Sequence, residues 1–222
     1  MLKPRKRVTK KQLKEDKLIT TVYNVQNYLE KEWQKLAIIA GAAALVIIAG
    51  YYIYNRNLEK ENLAKNELWQ YEYRYFAGVL DSTLVTGLEQ FLQRHGDTGT
   101  AGNAAYYLAD TYYNLDQYAQ AEEYFNTFLE DYDGPEFLKA SALGGIASCY
   151  EQRGLWNEAA EYYARAAREY QDEFLAPENM IGAARALLKL GNTEQAHTHC
   201  QAVIEKYPNT QHALEAEILL AK

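Results

Sequence analysis

Cysteine is almost missing from this chain: there are two, Cys149 and Cys200, and none precedes position 149. A lipid anchor on an N-terminal cysteine is therefore excluded. The repeat described below puts the two thiols on helices that are not direct neighbours, so both are expected to be free. Also missing are the phosphate-cradling GxxxxGK loop, the GxSxG nucleophile elbow and the HExxH zinc pair. Histidine is scarce, with four residues, and only "AHTHC" places His197, His199 and Cys200 together. On a helix His197 and His199 point about 200° apart, which disfavours a shared metal. No strand pattern is required anywhere. The chain is expected to be all-α and not an enzyme, with no cofactor, metal or small-molecule substrate.

The longest absence is of charge. Residues 36–54, LAIIAGAAALVIIAGYYIY, hold no Asp, Glu, Lys or Arg over nineteen positions. As a helix this run is about 28 Å long, close to the roughly 30 Å hydrocarbon core of a bilayer. Trp33 and Lys35 stand at one end and Tyr51, Tyr52 and Tyr54 at the other, as interfacial anchors do. A cleavable signal has a shorter apolar region of about 7–15 residues and a small-residue cleavage site, whereas bulky Tyr51 and Tyr52 follow Gly50 here. A retained membrane span is expected.

Charge is divided by that span. Residues 1–35 carry ten Lys/Arg against four Asp/Glu, and the rest of the chain carries 13 against 26. By the positive-inside rule the basic head stays in the cytoplasm, and residues 55–222 lie outside it, in the periplasm of a two-membrane bacterium. Leu18, Val22, Val25, Leu29, Trp33 and Leu36 recur at helical steps, which predicts an amphipathic helix running into the span beside anionic lipid. Residues Met1 to Lys11 are expected to be disordered. A nucleic-acid arm lacks interleaved aromatics and a binding fold, so no nucleic acid is expected as partner.

Beyond the span the chain repeats. Ala109, Tyr112, Ala121 and Phe125 lie at offsets 0, 3, 12 and 16; Ala147, Tyr150, Ala159 and Tyr163 share them, as do Ala184, Leu187, Ala196 and Cys200. Two antiparallel helices can approach closely only where small residues face each other, with an aromatic filling the adjacent space. Turns fall at NLDQY, QRGLW and KLGNT, with Gly154 and Gly191 placed for left-handed caps. Only four prolines occur, and Pro135 and Pro177 sit near the first turn of a helix, where a missing N–H is harmless. A looser unit with Tyr75, Gly78, Gly87 and Phe91 precedes these copies. Ala213, Leu214, Ala216, Leu219 and Leu220 suit a closing helix over the last pair. About nine helices are expected after the span.

These residues resemble the tetratricopeptide repeat, a helix-turn-helix unit of about 34 residues. Intervals of 38 and 37 residues here leave a longer second helix or loop in each unit. The resemblance implies an antiparallel helix-turn-helix solenoid of about three and a half to four repeats plus a capping helix. The expected organisation is a basic tail with a juxtamembrane amphipathic helix at 1–35, a transmembrane helix at 36–54, a linker helix and degenerate unit at 55–101, and three units with their cap at 102–222.

The repeat's concave positions are Asn103, Tyr106, Asp110, Tyr113, Asn114, Ser148, Glu151, Gln152, Arg185 and Lys189, a polar set of both signs. Tyr106 and Asp110 stand where some members hold a paired Lys/Asn grip for a C-terminal carboxylate, so that kind of receptor is disfavoured. The chain's layout is similar to that of the ancillary subunit of the bacterial SecYEG translocon. That resemblance implies a scaffold at the inner membrane, with the translocon channel and a membrane-anchored periplasmic chaperone as partners. An envelope or cell-division adaptor is the alternative. A cytosol-facing organelle receptor is more distant, because its topology opposes the charge count.

Overall fold

The structure, a computed structural model, describes residues 10–221 of the chain, with side chains described from Lys17 onward except that of Leu18. Among the described residues there are nine helices and no strand. They are α1 (Lys10–Phe76), α2 (Ser82–His95), α3 (Thr100–Asn114), α4 (Tyr118–Asp131), α5 (Glu136–Gln152), α6 (Trp156–Glu169), α7 (Ala176–Lys189), α8 (Thr193–Lys206) and α9 (Gln211–Leu220). Contacts divide the chain into two compact units, Met1–Arg56 and Asn57–Lys222.

In the first unit all described residues are helical. Residues 36–54 form part of a helix long and apolar enough to cross a membrane, and no part of its most apolar window is buried. The stripe of Val22, Val25, Leu29 and Trp33 is likewise exposed. Lys10 and Lys11 already belong to α1, contrary to the expected disorder through Lys11, while residues 1–9 lie outside the described residues.

The second unit consists of the end of α1 and helices α2–α9, a solenoid of antiparallel helix pairs. Its count agrees with the nine expected after the span only when the end of α1 is included. The six alanines of the repeat, Ala109, Ala121, Ala147, Ala159, Ala184 and Ala196, are fully buried, because the paired helices leave no room for longer side chains. At the start, Ala64 and Leu68 of α1 are buried with Leu84, Leu88 and Phe91 of α2. Glu61 of α1 covers the start of α3 by accepting from the Gly99 N–H at 2.9 Å and the Thr100 hydroxyl at 2.5 Å. Burial works against that carboxylate, but the Thr100 bonds, Lys65 and the Gly99 N–H outweigh it and hold Glu61 below its ordinary pKa. Cys149 on α5 and Cys200 on α8 are buried free thiols.

Each pair turns in the same way. Gln117, Leu155 and Asn192 donate their backbone N–H to the carbonyls of Tyr112, Tyr150 and Leu187, all at 2.9 Å, closing three equivalent turns. The residue in the left-handed conformation is Asp116 (φ 60°), Gly154 (φ 74°) or Gly191 (φ 75°). Gly78 (φ 72°) ends α1 likewise; it is a turn residue, not the packing residue that its offset implied. A Cβ in this conformation costs about 1–2 kcal/mol for most residues and less for Asp. Gly154→Ala and Gly191→Ala should therefore each lower stability by about 1 kcal/mol. Asp116→Gly should change little, because it trades backbone relief for loss of the Tyr118 hydroxyl bond to Asp116 (2.5 Å). Urea titration of the three variants checks the order.

Candidate protein-binding cleft

The first helices of successive pairs line a cleft of about 280 Å³. Tyr106, Asp110 and Tyr113 reach it from α3, Ser148 from α5 and Arg185 from α7. Its floor exists because two neighbouring residues of α5 have no side chain. A Cβ on Gly145 would lie 2.6 Å from the Phe125 ring, and one on Gly144 would lie 2.6 Å from Asn179 Oδ1. One unit later, a Cβ on Gly182 would lie 2.7 Å from the Tyr163 ring. At Gly145 and Gly182 the aromatic of one pair's second helix lies flush against the next pair's first helix, while Gly144 admits Asn179 from the first helix after that.

Hydroxyl groups organise the walls. The Tyr106 hydroxyl lies 2.6 Å from Ser141 Oγ, and Ser148 Oγ lies 2.9 Å from both the Tyr163 hydroxyl and the Gly144 carbonyl. The Tyr163 hydroxyl also donates to Glu151 at 2.9 Å. Asp110 accepts from the Tyr75 hydroxyl at 2.8 Å and from the Asn114 amide at 3.3 Å. Rings continue the wall toward the start of the unit: Tyr75 lies 4.5 Å from Tyr107, and Phe76 5.7 Å from Tyr107 edge-on.

The two signs of charge are treated differently. Arg185 is held between Glu151 (3.6 Å) and Glu215 (3.5 Å). Burial works against that cation, yet Glu151, Tyr163 and Glu215 outweigh it and keep the guanidinium above its ordinary pKa. Asp110 has no cation beside it among the described residues. Burial pushes its carboxyl up, and the Tyr75 hydroxyl bond only partly offsets this. Burial likewise raises Tyr75 and Tyr106, and with Glu72 raises Tyr107 to about 12, so all three phenols stay protonated donors. Glu178, exposed on the rim, also lacks a basic partner among the described residues. The free charge of the cleft is therefore negative.

Five of the ten concave positions read from the sequence line this cleft: Tyr106, Asp110, Tyr113, Ser148 and Arg185. Glu151 stands behind it, bonded to Tyr163 and Arg185. Asn103, Asn114, Gln152 and Lys189 are not in the lining; Asn114 supports Asp110, and Lys189 lies over the Trp156 ring at 5.7 Å. Sequence reasoning missed Phe125, Ser141, Gly144, Gly145, Tyr163, Leu175, Glu178 and Asn179 as cleft residues. The signal was present in the glycines, since Gly145 and Gly182 each stand two residues before the repeat alanine of a first helix. No group of three or more His, Cys, Asp or Glu that could hold a metal occurs among the described residues.

Family profiles described as tetratricopeptide repeat match residues 88–174 and 178–210. No curated protein matches the chain. Among solved structures, the TPR-like repeats of a Podosopora anserina kinesin light chain protein align at 16% identity with a TM-score of 0.54, over 75% of this chain and 84% of theirs. The Yersinia enterocolitica type III secretion chaperone SycD, in complex with a peptide of the translocator YopD, aligns at 22% identity and TM-score 0.45, over 54% of this chain and 88% of its own. At 16% identity the first of these likenesses is one of fold.

Proposed function

Because this chain carries tetratricopeptide repeats, we propose that it is a membrane-anchored scaffold whose first helices capture a segment of another protein on the extracytoplasmic side. One observation supports this most directly: Tyr106, Asp110, Tyr113, Ser148 and Arg185, from three helices, converge on one cleft rich in protonated hydroxyl donors. The Tyr106–Ser141 pair uses one of its two hydroxyl protons between its members and leaves the other for a polypeptide carbonyl, and the uncompensated Asp110 and Glu178 suit a basic side chain. The segment is thus a peptide or helix end bearing Lys or Arg. No catalytic step is assigned to the cleft.

The anchor reading rests on residues 36–54 and on the excess of Lys/Arg before them. Its finer form is that the scaffold stands beside the SecYEG channel at the inner membrane, near periplasmic chaperones, where it holds emerging chains. A photo-crosslinking residue at Tyr106 or Tyr113 tests both parts. Capture of a polypeptide at these positions but not at exposed Gln120 on α4 supports the cleft. Co-purification with channel components after mild detergent extraction supports the translocon placement, and a clean preparation without them overturns it. Protease added to intact spheroplasts should digest residues 55–222; protection of that region would reverse the topology.

A further inference from the structure

The second helices form a row of their own, and the seams between successive members are filled in two cases and open in the third. In the seam of α2 with α4, the Tyr112 hydroxyl donates to Glu89 at 2.5 Å, and the Tyr112 and Tyr124 rings stack at 5.6 Å, 14° from parallel. In the seam of α4 with α6, the Tyr150 hydroxyl donates to Glu122 at 2.6 Å, and the Tyr150 and Tyr162 rings lie 5.4 Å apart. Arg153 pairs with the same Glu122 and lies over the Tyr150 ring at 5.5 Å. Each filled seam thus consists of a tyrosine on a carboxylate, backed by a second ring.

The repeat register carries these positions into the third seam, between α6 and α8. Glu122 becomes Ala160, Tyr150 becomes Leu187, Arg153 becomes Leu190 and Tyr162 becomes His199. Every member of the cluster has been shortened or has lost its charge. The result is a groove of about 500 Å³ whose lining includes Ala160, Glu161, Ala164, Leu187, Gln195 and His199. Its floor is aliphatic. Glu161, exposed at its edge, has no basic partner among the described residues. Burial depresses His199 and favours a neutral ring there.

We infer that this third seam is a docking site for a tyrosine side chain of a partner protein, its ring lying on Ala160 and Leu187 and its hydroxyl donating to Glu161. The occupant follows from the two filled seams, where a tyrosine ring completes the frame and its hydroxyl donates to a carboxylate of the preceding second helix. Glu161, two residues before Tyr163, stands where Glu89, two residues before Phe91, stands in the first seam. This surface is formed by α6 and α8 with Leu187 of α7 between them, and it shares no lining residue with the cleft described above. A buried aromatic ring brings a large apolar area and a single directed hydroxyl, so the site selects both.

The test uses the full chain in detergent micelles with ¹³C-labelled Ala and Leu methyl groups, titrated with N-acetyl-tyrosinamide, N-acetyl-phenylalaninamide and N-acetyl-leucinamide. The tyrosine probe should move the Ala160, Ala164 and Leu187 methyls saturably, at least threefold more strongly than the phenylalanine probe, and the leucine probe should leave them unmoved. Ala160→Glu, Leu187→Tyr and His199→Tyr together restore the carboxylate, the tyrosine and the second ring of a filled seam and should abolish the response at Ala164. Glu161→Gln, an exposed change that leaves the fold intact, should level the tyrosine and phenylalanine responses. Equal response to leucine, no response at these methyls, or an unchanged tyrosine preference in Glu161→Gln overturns the assignment.

Discussion

Phe125→Ala should remove about 3–5 kcal/mol of stability, the range for emptying a fully buried aromatic position. The ring is 2% exposed, lies edge-on to Tyr106 at 5.8 Å, and rests against the bare backbone of Gly145. It couples the α3–α4 pair to α5. In a repeat array stability is a sum of unit and neighbour-interface contributions, so weakening one interface should also broaden the urea transition and lower its slope. Phe174→Ala, at a side chain 71% exposed, should change stability by less than about 0.5 kcal/mol. The reciprocal change is Gly145→Ala. Intrinsic helix propensity favours that alanine by up to about 1 kcal/mol. Overpacking costs about 1–3 kcal/mol, and it wins because the ring 2.6 Å from the new methyl is buried and cannot swing away. In a Phe125→Leu background the alanine should be nearly harmless. A double-mutant cycle with a coupling below about 0.5 kcal/mol would show that the ring and the glycine do not meet as described.

The repeat could be read from the sequence because it needs small residues at fixed offsets, and those offsets recur whatever else varies. Ala109, Ala147 and Ala184 announce it by their spacing alone. Turn glycines were legible for a similar reason: Gly154 and Gly191 sit at a backbone angle that other residues resist. The turn at Asp116 was legible as NLDQY, but no glycine marks which of its residues takes the left-handed angle. Of the cleft, five first-helix residues were legible from the repeat's concave positions, although Ser141, Gly144, Gly145, Glu178 and Asn179 on α5 and α7 escaped them. Its floor was not, because Phe125 and Tyr163 come from second helices and reach the cleft only where a glycine on the facing helix admits them. Lys189 and Asn114 show the other limit. Helical phase places both on the groove side, but long or polar side chains follow their nearest partner, Trp156 in one case and Asp110 in the other.

Asp110→Asn should weaken capture of a basic segment by at least about tenfold, or roughly 1.4 kcal/mol, while leaving the fold at least as stable at neutral pH. The sign follows from where the acid sits. Burial raises the folded carboxyl above its unfolded value, so the native state binds the proton more tightly. Its contribution to stability is fully present below the unfolded value near 3.8 and is lost as pH rises through the raised folded pKa. An ionised Asp110 is thus a burden on the fold that a cationic ligand can relieve, and that is the sense in which it is kept for binding. Affinity for a cation should run the other way, weak in acid and strengthening as pH climbs past the folded pKa. Asparagine keeps an oxygen for the Tyr75 hydroxyl, so the wall survives the exchange and only the charge is lost. Calorimetry on the full chain in micelles, with capped pentapeptides centred on Arg, citrulline or Glu, separates these effects. Arg should bind best and only its affinity should rise with pH, and Asp110→Asn should cut most of the advantage of Arg over citrulline, leaving the part that exposed Glu178 carries. If Arg and citrulline bind the unmodified chain equally at every pH, the cleft does not select a basic segment through Asp110.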